Sequence, residues 1–224
     1  MLGVLANPGF ESFGTERRRI PLVRPLARIA LIGIGAWLCW GASHFGKAER
    51  IMEQAQFTGI DEDMGLKKID LLRQAKEIDP DNFYLYYTSG QTWMAALNGG
   101  MPDIVAKSFV EKALADFDYA RTLYPYDYIN YQNIALCLTW LRRYDEAETM
   151  LKEAIRWAPN HNPPWMDYAR FLTQQGRLKE AEEAYEKARR GAYHERIVDT
   201  EIALLRQRMK AEGIPTMLDA PKPE

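Results

Sequence analysis

The chain has 224 residues, with 29 Lys and Arg against 31 Asp and Glu, 2 Cys and 3 His. At roughly 100–200 residues per domain that is one domain with an appendage. A formal charge of -2 gives no basic footprint for nucleic acid, and so few scattered His and Cys argue against a metal cage or a disulfide scaffold.

The charge is unevenly spread. Arg17, Arg18, Arg19, Arg24 and Arg28 face only Glu11 and Glu16 within residues 1–46, and directly after them Ile29 to Gly46 contains no Asp, Glu, Lys or Arg. That stretch spans roughly 27 Å as a helix, close to a hydrocarbon core of about 30 Å, and Leu26, Ala27 and a snorkelling Arg28 extend it. The pattern predicts one transmembrane helix over 25–46. A cleaved signal peptide would end in small residues, but Trp37, Trp40, His44 and Phe45 occupy the exit. Leu38-Cys39 likewise lacks the small flank of a lipidation site. The Arg excess keeps the N-terminal segment 1–24 in the cytoplasm, so the rest of the chain is expected outside it, as in a periplasm facing a bacterial inner membrane. Gly35, Cys39 and Ser43 recur at every fourth position, which either close helix packing or chance composition accounts for.

From residue 47 onward apolar residues recur at helical spacing, and no alternating strand pattern appears. Pro80, Pro125 and Pro159 punctuate the run, and the last two are separated by a period of about 34 residues. Aligned at that period, 128–161 places Tyr131, Ile134, Ala135, Leu138, Ala147, Leu151, Ala154 and Pro159. Residues 162–195 then place Trp165, Tyr168, Ala169, Leu172, Ala181, Tyr185 and Ala188 in the same register. The alanines stand where paired helices approach closely, and each proline stops a second helix because it lacks an N–H. This pattern resembles the tetratricopeptide-repeat family. The resemblance implies an all-α fold, a helical-hairpin solenoid preceded by the single membrane helix.

The predicted solenoid covers 47–195, as repeats 49–82, 83–127, 128–161 and 162–195. In the first, a helix Ala48–Phe57 follows the membrane segment, Leu71 and Ala75 take second-helix positions, and Lys67 stands where a small residue belongs. In the second, Gly90, Ala113, Phe117 and Ala120 fit, but the second half is displaced by roughly 11 residues, about three helical turns. That places an insertion near 98–108, which reads as a loop. Insertions in repeat arrays often fall on the binding face; a neutral elaboration fits equally well. Tyr193, in place of a proline, implies a run-on into a capping helix over 196–212, with Ile197, Ala203, Leu204 and Met209 covering the open end. Three prolines in 213–224 predict a flexible tail.

No nucleophile with a base, carboxylate pair or phosphate-cradling loop has usable spacing, so neither a catalytic residue nor a cofactor or metal is expected. His161, in Pro-Asn-His-Asn-Pro-Pro, reads as a solvated turn residue. On the family register the first helices line a concave side. Those positions hold Tyr84, Tyr87, Thr88, Gln91, Ile129, Gln132, Asn133, Leu136, Met166, Asp167, Arg170 and Thr173, a polar and aromatic groove suited to a partner protein. The basic clamp of chaperone-docking members does not carry over, because Asn133 and Arg170 lack the accompanying lysines. The aromatics at Phe83–Tyr87 and Tyr124–Tyr131 suit a sugar ring, a peptide or the core.

The order of an Arg-rich segment, a membrane helix, a short amphipathic stretch and Ile78-Asp-Pro-Asp-Asn-Phe-Tyr-Leu-Tyr-Tyr87 also looks like the C-terminal end of O-antigen ligase and related polysaccharide polymerases. That resemblance covers only a last helix and the repeats, without the catalytic loop, so it implies a component of a glycan-assembly system and no activity. Single-helix repeat proteins also serve as accessory subunits of secretion and envelope machines. The expectation is therefore a non-enzymatic, membrane-anchored adaptor for protein partners, including polytopic membrane proteins of envelope or glycan assembly. Self-association is left open by these residues.

Overall fold

A computed structural model of the chain describes residues 23–58, 65–97, 100–190 and 195–219. Outside them lie residues 1–22 of the expected cytoplasmic segment, Asn98 and Gly99 of the expected loop, Tyr193 at the expected run-on, and the last residues of the expected tail. The chain divides into two compact units, residues 1–44 and 45–224.

The described part of the first unit is helical. Helix α1 is Val23–Phe57. Its window from Ala27 is long and apolar enough to cross a membrane by length and composition, and none of that window is buried. Ile29, Leu31, Ile32, Trp37 and Trp40 all present their side chains outward.

The second unit is a row of antiparallel helical hairpins. After the end of α1 come α2 (Leu66–Ile78), α3 (Phe83–Ala95), α4 (Asp103–Leu123), α5 (Tyr128–Trp140), α6 (Tyr144–Trp157), α7 (Asn162–Gln174), α8 (Leu178–Arg190) and α9 (Glu195–Ala211). A short 3₁₀ turn, Met217–Asp219, closes the described residues, which contain no strand. Short polar turns start the helices: Asn82 Oδ1 accepts from the Tyr84 amide and Asp127 Oδ1 from the Ile129 amide, satisfying N–H groups that have no partner within the helix. Prolines in the first turn of α7 cost nothing there, because those N–H groups are free in any helix.

The repeat period recurs in the turns. Arg142 and Gly176 are left-handed, at φ 60 and 75. In each, the following amide reaches back to close the helix end, Arg143 N to Leu138 O and Arg177 N to Leu172 O, both at 2.9 Å. Gly176 adopts this conformation freely, whereas Arg142 carries a Cβ into it.

Paired helices meet at small residues. Ala113, Ala120, Ala135, Ala147, Ala154, Ala169, Ala181 and Ala188 are all buried, and Leu151, Tyr185 and Phe117 fill the space around them. Gly90 belongs to this set for the strictest reason: a Cβ added there would lie 2.7 Å from the ring of the buried Phe117. Charged groups tie neighbouring hairpins together. Glu148 of α6 accepts from Arg177 at 2.6 Å and from Tyr168 of α7 at 3.0 Å and pairs with Lys152 at 2.7 Å. Burial pushes its carboxyl up, but these three donors outweigh it and hold the group down at about 2.

Four expectations are corrected. The insertion is mostly helix: α4 begins at Asp103 and has 21 residues where α6 has 14, so only 96–102 connects it to α3. Its extra turns carry Ala106, Phe109 and Val110 at helical spacing into the core, where Phe109 meets Trp93 edge-on with centroids 4.9 Å apart. Leu72, not Leu71, is buried beside Ala75, and it packs with Ala55 and Leu85. The core face of α9 is Val198, Ile202, Leu205 and Met209, while Ile197 and Leu204 are exposed. Finally, the start of the expected tail is held in place: Ile214 packs on the core, and the Met217 amide donates at 2.8 Å to Glu182. Glu182 is 1% exposed and is neutralised by Arg206 at 2.6 Å, so this junction joins α8, α9 and the last turn.

Two substitutions should move stability in opposite directions in thermal unfolding. Gly90→Ala overpacks against Phe117 and costs about 1–3 kcal/mol. Arg142→Gly relieves the left-handed strain and adds about 0.5–1 kcal/mol. A neutral Gly90→Ala would show that the α3 to α4 approach is looser than described.

Candidate partner-binding groove

Two clefts run between successive first helices. One, of about 430 Å³, lies between α3 and α5 and is lined by Lys68, Thr88, Gln91, Thr92, Met94, Ala95, Phe117, Asn133 and Leu136. The other, of about 400 Å³, lies between α5 and α7 and includes Gln132, Asn133, Leu136, Trp140, Asp167, Arg170, Phe171 and Gln174. Asn133 and Leu136 border both, which makes them one continuous groove whose ridge is α5.

Seven of the twelve sequence-predicted groove residues line it, Thr88, Gln91, Gln132, Asn133, Leu136, Asp167 and Arg170, while Ile129 and Thr173 are in neither lining. Tyr84 and Tyr87 lie outside both linings, nearer the start of α3, with rings stacked at a centroid distance of 6.1 Å. Met166 is in the core, 8% exposed. Sequence reasoning passed over Lys68, Trp140 and Gln174. The last two stand in equivalent positions of successive repeats, so extending the register by one more helical turn from Leu136 and Arg170 finds them. Lys68 comes from a second helix, which the search for groove positions on first helices leaves out.

The groove is electrostatically mixed. Gln132 Nε2 donates to Asp167 Oδ2 across the α5 to α7 cleft. Arg170 donates to Glu201 of α9 at 3.0 Å and lies 3.4 Å from Asp167. Burial pushes the Asp167 carboxyl above its usual range, while Arg170 and Gln132 oppose the shift. The Tyr87 hydroxyl, which accepts from Gln91 at 2.7 Å, is pushed up chiefly by burial, with the Asn133 amide acting against it. Thr88 Oγ1 and Asn133 Nδ2 are buried in the groove wall without a well-directed hydrogen bond. A buried polar atom left so costs about 1–3 kcal/mol. The apolar neighbours Leu136, Trp140 and Phe171 complete a surface that takes side chains as well as backbone. Among the described residues no group of His, Cys, Asp and Glu is placed to hold a metal ion.

Residues 141–198 match the family model for the tetratricopeptide repeat. No curated protein matches the chain by sequence. Among solved structures, TTC0263, a thermophilic TPR protein of Thermus thermophilus, is similar over 79% of this chain and 95% of its own, at TM-score 0.61 and 19% identity. MamA from Desulfovibrio magneticus RS-1 is similar over 76% of this chain and 88% of its own, at TM-score 0.58 and 13% identity. A further MamA crystal structure matches over 66% of this chain and 78% of its own, at TM-score 0.52 and 18% identity. At these identities the likeness is one of fold, an all-helical TPR-like solenoid.

The electrostatics are directly measurable. In a carbon-detected NMR titration, Asp167 should protonate above the free-aspartate value of about 3.9, and Arg170→Ala should raise its midpoint further. A midpoint at or below the free value would contradict the burial assigned to it.

Proposed function

We propose that this TPR-type helical repeat protein is a membrane-anchored, non-catalytic adaptor whose groove along α3, α5 and α7 holds an extended segment of a partner protein. The observation that carries this reading is the groove itself. The polar side chains of Thr88 and Asn133 line it beside the apolar Leu136 and Trp140 and the charged Asp167. An extended segment offers unpaired backbone carbonyls and amides at every residue, which a folded surface does not. In this reading helix 25–46 spans a bacterial inner membrane once. The Arg cluster lies inside and the repeats face the periplasm, as the basic flank and the uncharged stretch support.

Both halves are testable with the full chain in cells. A photo-crosslinking amino acid at Leu136 should form an adduct that maps to one extended segment of a partner, while the same probe at Glu183, exposed on α8, should not. Asn133→Ala should lower the Leu136 yield roughly five- to tenfold, the worth of about one hydrogen bond. Equal adducts from both positions would sink the groove reading. Alkaline extraction should leave the protein in the membrane fraction, and its release would remove the anchor.

A further inference from the structure

The floor of the groove is set by one position of the repeat, two residues before the small residue at which each first helix meets its second. Gly90, Ala135 and Ala169 are those small residues, and Thr88, Asn133 and Asp167 stand two residues before them. Helix α9 carries the same spacing, with Glu201 two residues before Ala203 and one repeat period after Asp167. It therefore keeps the register of a first helix, and this position runs from a hydroxyl through an amide to two carboxylates.

Charge follows the same order. Among the described residues, Lys68 is the single charged residue lining the cleft between α3 and α5. The cleft between α5 and α7 is lined by Asp167 and Arg170, and Arg170 is shared, 3.4 Å from Asp167 and 3.0 Å from Glu201. The next cation on α9, Arg208, is matched by Glu212 at 2.8 Å. One guanidinium between two carboxylates leaves the α7 end of the groove negative, while Lys68 makes the α3 end positive. Asp167 is half-buried, enough to push its carboxyl up and open enough to be reached. A second cation against it would favour the charged form that burial disfavours.

We propose that the segment held in this groove, in the reading above on which this inference rests, is dipolar. An acidic side chain sits toward Lys68 at the α3 end, a Lys or Arg sits on Asp167 at the α7 end, and apolar side chains between them cover Leu136 and Trp140. With neighbouring helices about 8–10 Å apart and an extended chain rising about 3.3 Å per residue, the two charges are roughly five to seven residues apart. Attraction at both ends fixes the direction in which the segment lies. A segment of the opposite polarity sets like charge against like at both ends, which selects against it.

The test presents the full chain, in dodecyl maltoside, with a degenerate peptide library blocked at both termini, so that no terminal charge contributes, and sequences the retained pool. The expected pool is enriched in Asp or Glu near one end and in Lys or Arg near the other. Asp167→Asn, which keeps an acceptor for Gln132, should lower the Lys and Arg enrichment several-fold and leave the acidic preference intact. Lys68→Met should do the reverse. A selected peptide should also lower the protonation midpoint of Asp167 in the unsubstituted chain, a readout that needs no variant to fold. A pool without the paired charges, a selection indifferent to either substitution, or a midpoint unmoved by the peptide would overturn the polarity and leave the groove reading standing. A pool no different from the input library would overturn the groove and its polarity together.

Discussion

The structure depends on how closely two helices of a hairpin are brought together. At Gly90, backbone stands against the Phe117 ring with no room for a methyl group, and buried alanines take the same positions in later hairpins. This approach does more than stabilise. It fixes the angle of each first helix against its second, and thereby which residues of α3, α5 and α7 turn toward one another. Groove and core are two faces of the same constraint, since a helix that buries Ala135, Ile134 and Leu138 must present Asn133, Leu136 and Trp140 on its other side.

A row of hairpins makes only neighbour contacts, so its ends and junctions need their own devices. Between α6 and α7, Glu148 gathers three donors from two hairpins. At the C-terminal end, Glu182 is buried against Arg206 and accepts the Met217 amide. Removing one partner of such a buried pair strands the other charge, which is far more costly than the pair is beneficial. Junctions of this kind keep the groove in register from one repeat to the next.

Most of the architecture was legible because the two C-terminal repeats share one register and the alanines and prolines mark it. Legibility fell where the pattern had competing explanations. The glycines and Pro102 ahead of α4 read as a loop, although Ala106, Phe109 and Val110 already carried the helical period. The core face of α9 was misassigned because Ile197 and Leu204 are apolar yet exposed, and a run of mixed side chains permits more than one stripe. The first-helix register reaches Thr88, Gln91, Gln132, Asn133, Leu136, Asp167 and Arg170 among the residues that line the two clefts. Met166 was misplaced because one residue of rotation along a helix carries a side chain from groove to core. Lys68 was invisible to a scheme that looked only at first helices. The coupling of Arg170 to Glu201 depends on α9 folding back, which no local pattern contains.

The account's central claim is that the facing first helices, and not the outer surface of the second helices, engage the partner. Hydrogen exchange of the full chain with and without its crosslinked partner segment tests this most directly. The account predicts slowed exchange concentrated in α3, α5 and α7, with α4, α6 and α8 little changed. Protection centred on α6 and α8 instead, with the first helices unaffected, would contradict it.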